Sequence, residues 1–372
     1  MKTQCLFIIC LITVAFSVTS CSKDSPSDLT QSAGKTEINT AIVNYNMENA
    51  AIDSAQGLMV YNRLSSLSLP FSPPSQGNLP SASSARSRSF SSENLCLKNE
   101  NPSSVSVQNA FGFRQGFNIQ NYVGTYEWDA QNHQFNHTNT PTDQVIVKFP
   151  YPATGSTNNA VYTISKYTVT YDSEADSYKG DYIANITLDG NDIWSVNFSS
   201  TFQSTENLYT SHSSLTLKFA PYEYSELSDA NSPGTVDAGE LSLKASRILK
   251  KASRTIVSGA YDVSGKYSGS SLNISASSDL TVMNIYFHYT SSYSGNEVNY
   301  NSQDNLRIVV YNTGGAKIGE MKYVPDQDQE LILMFYFNNG KSVYAEPLFD
   351  SILQEWYYFY DSMENNYGGK KK

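Results

Sequence analysis

Charge is scarce in this sequence. Only 16% of the 372 residues are Asp, Glu, Lys or Arg, and the longest run of one sign is the three lysines that end the chain. Acids outnumber bases 35 to 25, for a formal net charge of −10. No basic stripe is present to neutralise a row of phosphates, which excludes nucleic-acid binding as the main activity. Long apolar runs are missing as well: the longest, Cys5 to Phe16, falls short of the ~20 residues that a helix needs to cross a bilayer. Catalytic signatures are absent too. There is no G-x-S-x-G nucleophile turn, Walker loop, Rossmann glycine fingerprint or His-Glu zincin helix, and no similarity recurs at the 20 to 50 residue period of a repeat protein.

What is present begins at the N-terminus. Lys2 supplies a positive charge and "CLFIICLITVAF" an apolar stretch of the length of a signal-peptide h-region. The next residues, Val18-Thr19-Ser20-Cys21, resemble the lipobox of bacterial lipoproteins. That resemblance implies transfer of diacylglycerol to the Cys21 sulfur, cleavage before it and acylation of the new amino group. Several buried acyl chains, each CH₂ contributing ~0.8 kcal/mol, make such an anchor essentially permanent. An ordinary secretory peptide cleaved nearby, or an uncleaved helix, are the other readings.

With Cys5 and Cys10 removed with the signal segment and Cys21 lipidated, Cys96 has no partner, so no disulfide forms within the chain. No histidine lies near it in sequence, and it reads as a small buried apolar residue. The polar segment after Cys21, "SKDSPSDLTQSAGK", reads as a tether. Its serine and charges resemble, in part, the surface-export signal of Bacteroidetes lipoproteins. The chain as a whole resembles the uncharacterised cell-envelope lipoproteins of that group, which implies outer-membrane localisation, with the bilayer as partner through acylated Cys21.

Tyrosine is abundant, at 27 residues, in keeping with a half-buried pleated surface. Alternating segments such as "NNAVYTISKYTVTYD" and "DLTVMNIYFHYTSSY" read as strands. Asp189-Gly190, Gly314-Gly315 and Asn339-Gly340 mark tight turns between them. The expected fold is therefore α+β, mainly an antiparallel β meander, as a sandwich or open barrel, with a long N-terminal helix and a C-terminal helix.

Laid along the chain, this gives a signal peptide over 1–20, a tether over 21–35 and an amphipathic helix over 36–65, single or broken near Gly57. A Ser/Pro-rich loop over 66–103 precedes a first antiparallel region over 104–225. A connecting loop and basic helix over 226–255, a second antiparallel region over 256–346, a C-terminal helix over 347–364 and a tail over 365–372 complete it. "LILMFYF", apolar at every position, is expected to be covered on both faces.

Few residues carry recognisable chemistry. "DANSPGTVDAGE" matches much of a twelve-residue calcium loop, with Asp229, Asn231, Thr235, Asp237 and Glu240 at ligand positions and Gly234 at the sharp turn. Pro233 replaces one oxygen ligand, and an acidic turn that caps a helix is the competing reading; calcium is the only cofactor suggested. His133 and His137 could share a metal only on a helix, and their Asn- and Thr-rich setting reads as a hairpin. On "MNIYFHYTSSY", alternation sends Ile285, Phe287 and Tyr289 to one face and Tyr286 and His288 to the other. Tyr286, His288, Trp128 and Trp194 are thus candidates for stacking on sugar rings, with a core position the other reading for each tryptophan.

The leading expectation is a non-enzymatic outer-membrane lipoprotein that binds a glycan or an envelope partner through its sheet. A carrier of an apolar ligand, a glycan hydrolase using two carboxylates, and an assembly role are the alternatives.

Overall fold

The computed structural model describes residues 27–69, 118–172, 174–205, 207–235, 237–269, 271–296, 307–327, 331–349 and 352. Cys21, Cys96, most of the Ser/Pro-rich stretch and most of the expected C-terminal helix lie outside the described residues.

The N-terminal helical stretch is two helices, α1 (Gln31–Ile52) and α2 (Gln56–Ser65). The first starts earlier than its apolar spacing suggests because Thr30 caps it: the side-chain oxygen accepts from the Ala33 backbone N–H at 3.3 Å. The break near Gly57 lets α2 press on the sheet. A Cβ on Gly57 would lie 2.3 Å from the Ile193 carbonyl oxygen and 2.6 Å from the Phe219 Cα, so only glycine fits.

The strands are β1 (Gly124–Asp129), β2 (Gln134–Thr138), β3 (Val145–Phe149), β4 (Ala160–Asp172), β5 (Ser177–Leu188), β6 (Asn191–Thr205), β7 (Leu208–Phe219) and β8 (Tyr222–Pro233). They continue as β9 (Ala238–Lys251), β10 (Arg254–Ser268), β11 (Ser271–Val282), β12 (Ile285–Asn296), β13 (Arg307–Asn312), β14 (Lys317–Pro325), β15 (Leu331–Phe337) and β16 (Ser342–Tyr344). All belong to one open sheet, in sequence order from β3 to β16, with β1 inserted between β3 and β2. Among the described strands only the β1–β3 pair is parallel. Short turns enforce this order, since two strands joined by a few residues can pair only as antiparallel neighbours. At Asp189-Gly190 both residues have positive φ, 51° and 81°, the geometry that a two-residue hairpin turn requires.

One face of the sheet packs on the helices. Ile38, Ala41, Tyr45, Val60 and Leu64 meet a layer that includes Phe149, Tyr162, Phe219, Phe287 and Phe335, all buried. The helices cross the strands at one end only. The Leu29 N–H donates to the Lys317 carbonyl at 2.8 Å, Asn284 donates to Glu37, and the Gly57 N–H reaches the Ala220 carbonyl at 3.4 Å. The far halves of β6, β10 and β11 have few buried positions. A short helix, α3 (Ala345–Phe349), sets Phe349 against Phe287 and Phe335 at ring separations of 5.6 and 5.1 Å.

Two expectations are corrected. Among the described residues of 226–255 there is no connecting helix: they form the end of β8, β9, the start of β10 and the turns between them, and these strands are adjacent, so the two expected antiparallel regions are one sheet. "ELSLKASRILK" contains good helix formers, but ready-made edges on both sides override that preference. The second correction concerns β15, which is covered on one face. Leu333, Phe335 and Phe337 are buried while Ile332, Met334 and Tyr336 are half-exposed, and the Lys322 ammonium lies 4.6 Å from the Tyr336 ring centre.

Candidate functional site

The sheet face turned away from the helices is polar, and its residues are set by register. From β6 to β12, Thr201, His212, Asp229, Lys244, Asp262, Ser277 and Thr290 stand directly opposite one another in succession. Directly opposed residues point to the same side of a sheet. Two residues nearer the helices, a second row reads Ser199, Ser214, Leu227, Ser246, Ala260, Asp279 and His288. Small side chains at Ser246 and Ala260, between longer ones at Leu227, Lys244, Asp262 and Asp279, leave a shallow open depression of about 310 Å³. A second, of about 220 Å³, adjoins it and shares Asp229 and Lys244 as walls.

Complementary pairs organise this face. His212 Nδ1 lies 2.5 Å from Asp229 Oδ1, Lys244 Nζ 3.1 Å from Asp262 Oδ2, and His288 Nδ1 2.7 Å from Asp279 Oδ1. Tyr286 also donates its hydroxyl to Asp279 and lies beside the Tyr311 ring, 5.9 Å between centres. Partial burial, with the Asp279 carboxylate second, pushes the Tyr286 phenol well above its ordinary value, so it stays a donor at physiological pH. The result is a broad open surface rich in donors and acceptors with a half-exposed aromatic pair at one side.

The helix-facing side carries a different cluster. Glu226 accepts from the Tyr224 hydroxyl at 2.6 Å and sits opposite Arg247 in the register. Burial pushes its pKa up to about 7, with Tyr224 and Arg247 holding it from rising further.

Of the residues singled out from sequence, Tyr286 and His288 share the Asp279 carboxylate on the open face, while Ile285, Phe287 and Tyr289 are buried on the other. Trp194 is in the core, 1% exposed and stacked on Tyr61 of α2 at 4.7 Å, which leaves no room for a sugar ring. Trp128 is half-buried in the β1–β2 hairpin against Phe135, far along the sheet from Tyr286. His133 has positive φ beside the hairpin turn, and His137 stacks on Tyr126.

The proposed calcium ligands do not converge. Asp229 and Asn231 lie on β8 and Glu240 on β9, while Thr235 and Asp237 belong to the turn between them. Asp229 is held by His212 and Glu240 by Lys266, at 2.6 Å. Among the described residues no three His, Cys, Asp or Glu side chains come together as metal ligands.

Sequence reasoning missed His212, Lys244, Asp262 and Asp279. A signal was there: His212 and Asp229 are equidistant from the Ala220-Pro221 turn, and Lys244 and Asp262 from Ser253. Counting outward from each turn finds the pairs once the strands are known. No family model, curated protein or solved structure matches this chain.

Proposed function

We propose that the chain is an outer-membrane lipoprotein, anchored through acylated Cys21, that binds an extended glycan along the open face of its sheet. The observation that carries this reading is the pair of rows running across seven strands, polar but for Leu227 and Ala260, next to the half-exposed Tyr286–Tyr311 pair. A sugar polymer offers hydroxyls at regular intervals and apolar ring faces between them. Opposed Ser, Thr, Asp and His side chains at strand spacing, ~4.8 Å, suit the hydroxyls, and tyrosine rings suit the ring faces.

Hydrolysis fits this face less well. Each carboxylate in the larger depression already has a partner, Asp229 on His212, Asp262 on Lys244 and Asp279 on Tyr286 and His288, and the surface is open to water. A glycosidase needs one free acid and one free base flanking a bond.

The test is a glycan screen on the fragment that starts after Cys21, followed by titration of any hit. Replacing Tyr286 by Ala, or Asp279 by Asn, is expected to weaken binding roughly tenfold or more, the size of one lost charge-assisted hydrogen bond. Absence of any hit, or a hit indifferent to both substitutions, rules the reading out.

A further inference from the structure

We propose that the outward face of α1 rests on the bilayer that holds the acylated Cys21. This inference depends on the lipid-anchor reading and adds an orientation to it.

Reach comes first. Gln31, the start of α1, lies ten positions after Cys21, and ten extended steps span at most ~36 Å. A strand as long as β10, by contrast, is ~50 Å from end to end. The helix end of the sheet is therefore held near the membrane while the far hairpins can extend beyond the reach of the tether.

The character of α1 is the second observation. Its exposed side is mostly small and polar, with Lys35 its one charged residue, and it carries two large apolar side chains, Val43 58% and Met47 66% exposed. None of its exposed residues is an acid, in a chain whose acids outnumber its bases. The two acids of α1 are turned to the sheet instead, Glu37 toward Asn284 and Glu48 toward Tyr222, Lys251 and Arg254.

An outward helix face with exposed apolar side chains and no carboxylate is one that can lie against headgroups without like-charge repulsion. The contact need not be strong, because a short tether gives the helix an effective concentration in the millimolar range at the surface. The polar face of the sheet, being opposite α1, then looks away from the bilayer toward ligands in solution.

The experiment uses the full chain, made in a lipidating host and reconstituted in vesicles of phosphatidylethanolamine and phosphatidylglycerol. Cys96→Ser removes the remaining thiol, and a nitroxide is attached in turn at Met47→Cys and at Lys266→Cys, an exposed site on the polar face. The mass of the Cys21 peptide is read first. With acyl chains present, the position 47 label is expected to be shielded from a water-soluble nickel chelate by at least about threefold relative to the position 266 label, as for an interfacial helix. Acylated protein whose two labels are equally accessible overturns the docking and leaves the anchor standing. A Cys21 peptide without acyl mass overturns the anchor, and the docking with it.

Discussion

At the scale of single residues, Glu226 couples stability to pH. Its folded pKa of about 7 lies above the ordinary 4.5 because burial opposes the charge, and Tyr224 and Arg247 offset that only in part. Between those two values the folded state holds a proton that the unfolded state has released. Its contribution to stability is therefore largest below the ordinary pKa and is lost as pH rises through about 7. Glu226→Gln keeps the shape and the acceptor for Tyr224 but cannot ionise. Thermal melts should show the variant more stable than the parent at pH 8, equal to it near pH 4, and flatter in between. A variant less stable than the parent at pH 8 would mean that the carboxylate is needed as the partner of Arg247.

At the scale of elements, a single carboxylate ties α1 to three strands. Glu48 accepts from Tyr222 at 3.0 Å and Lys251 at 2.9 Å, and also pairs with Arg254, so it bridges the β7–β8 and β9–β10 turns. Burial pushes its carboxyl up, but the bonds from Lys251 and Tyr222 and the charges of Lys251 and Arg254 together hold it below its ordinary value. Glu48→Ala is expected to cost ~2 kcal/mol, as for a lost hydrogen-bonded charge. Because the folded pKa is lowered, the deficit should be full at pH 7 and shrink as pH falls through the folded pKa, where the parent carboxylate is protonated too. Denaturant titrations at neutral and acidic pH measure both. A deficit independent of pH would assign the effect to packing.

The sequence made some of these elements plain. Apolar spacing from Ile38 to Ile52 and alternation along "VYTISKYTVTY" are local signals, and both report faithfully, whereas Met59, at the end of the same spacing, is exposed and Val60, Tyr61 and Leu64 are buried instead. The strand β9 was not legible, because what makes Leu241–Lys251 extended is the pair of neighbours it joins. The open face failed for a related reason. Its chemistry is split over β7 to β12 with one or two functional residues each, and these become a cluster only through register. Tyr286 and His288 were found since they sit two apart on one strand; His212 and Asp229, seventeen apart, were not paired.

At the scale of the whole molecule, burial is uneven along the strands. Near the helices both sequence neighbours and a packed layer protect the backbone; the far halves of β6, β10 and β11 have little such cover. Amide hydrogen exchange is expected to follow this division, with amides of Tyr182, Val196 and Leu280 among the slowest and those of Ser204, Lys266 and Asn273 faster by orders of magnitude, as in local opening. Uniform protection along each strand would show that the far halves are stabilised by something other than the helical layer.

The crossing of the helices over the strand ends also ties two lengths together. From the Lys317 contact at the start of α1 to the Trp194 contact of α2, the helical pair passes from β14 to β6. Eight strand spacings of ~4.8 Å make ~38 Å, and the helical residues of the two segments, at ~1.5 Å each, supply at most ~50 Å. The jointed helical pair thus sets a limit on the width of sheet it can cover. A homologue that gained one hairpin beneath it would widen by ~10 Å and would need ~6 more helical residues to keep both contacts in place. Insertions in the two regions should therefore occur together, in steps of two strands and nearly two helical turns.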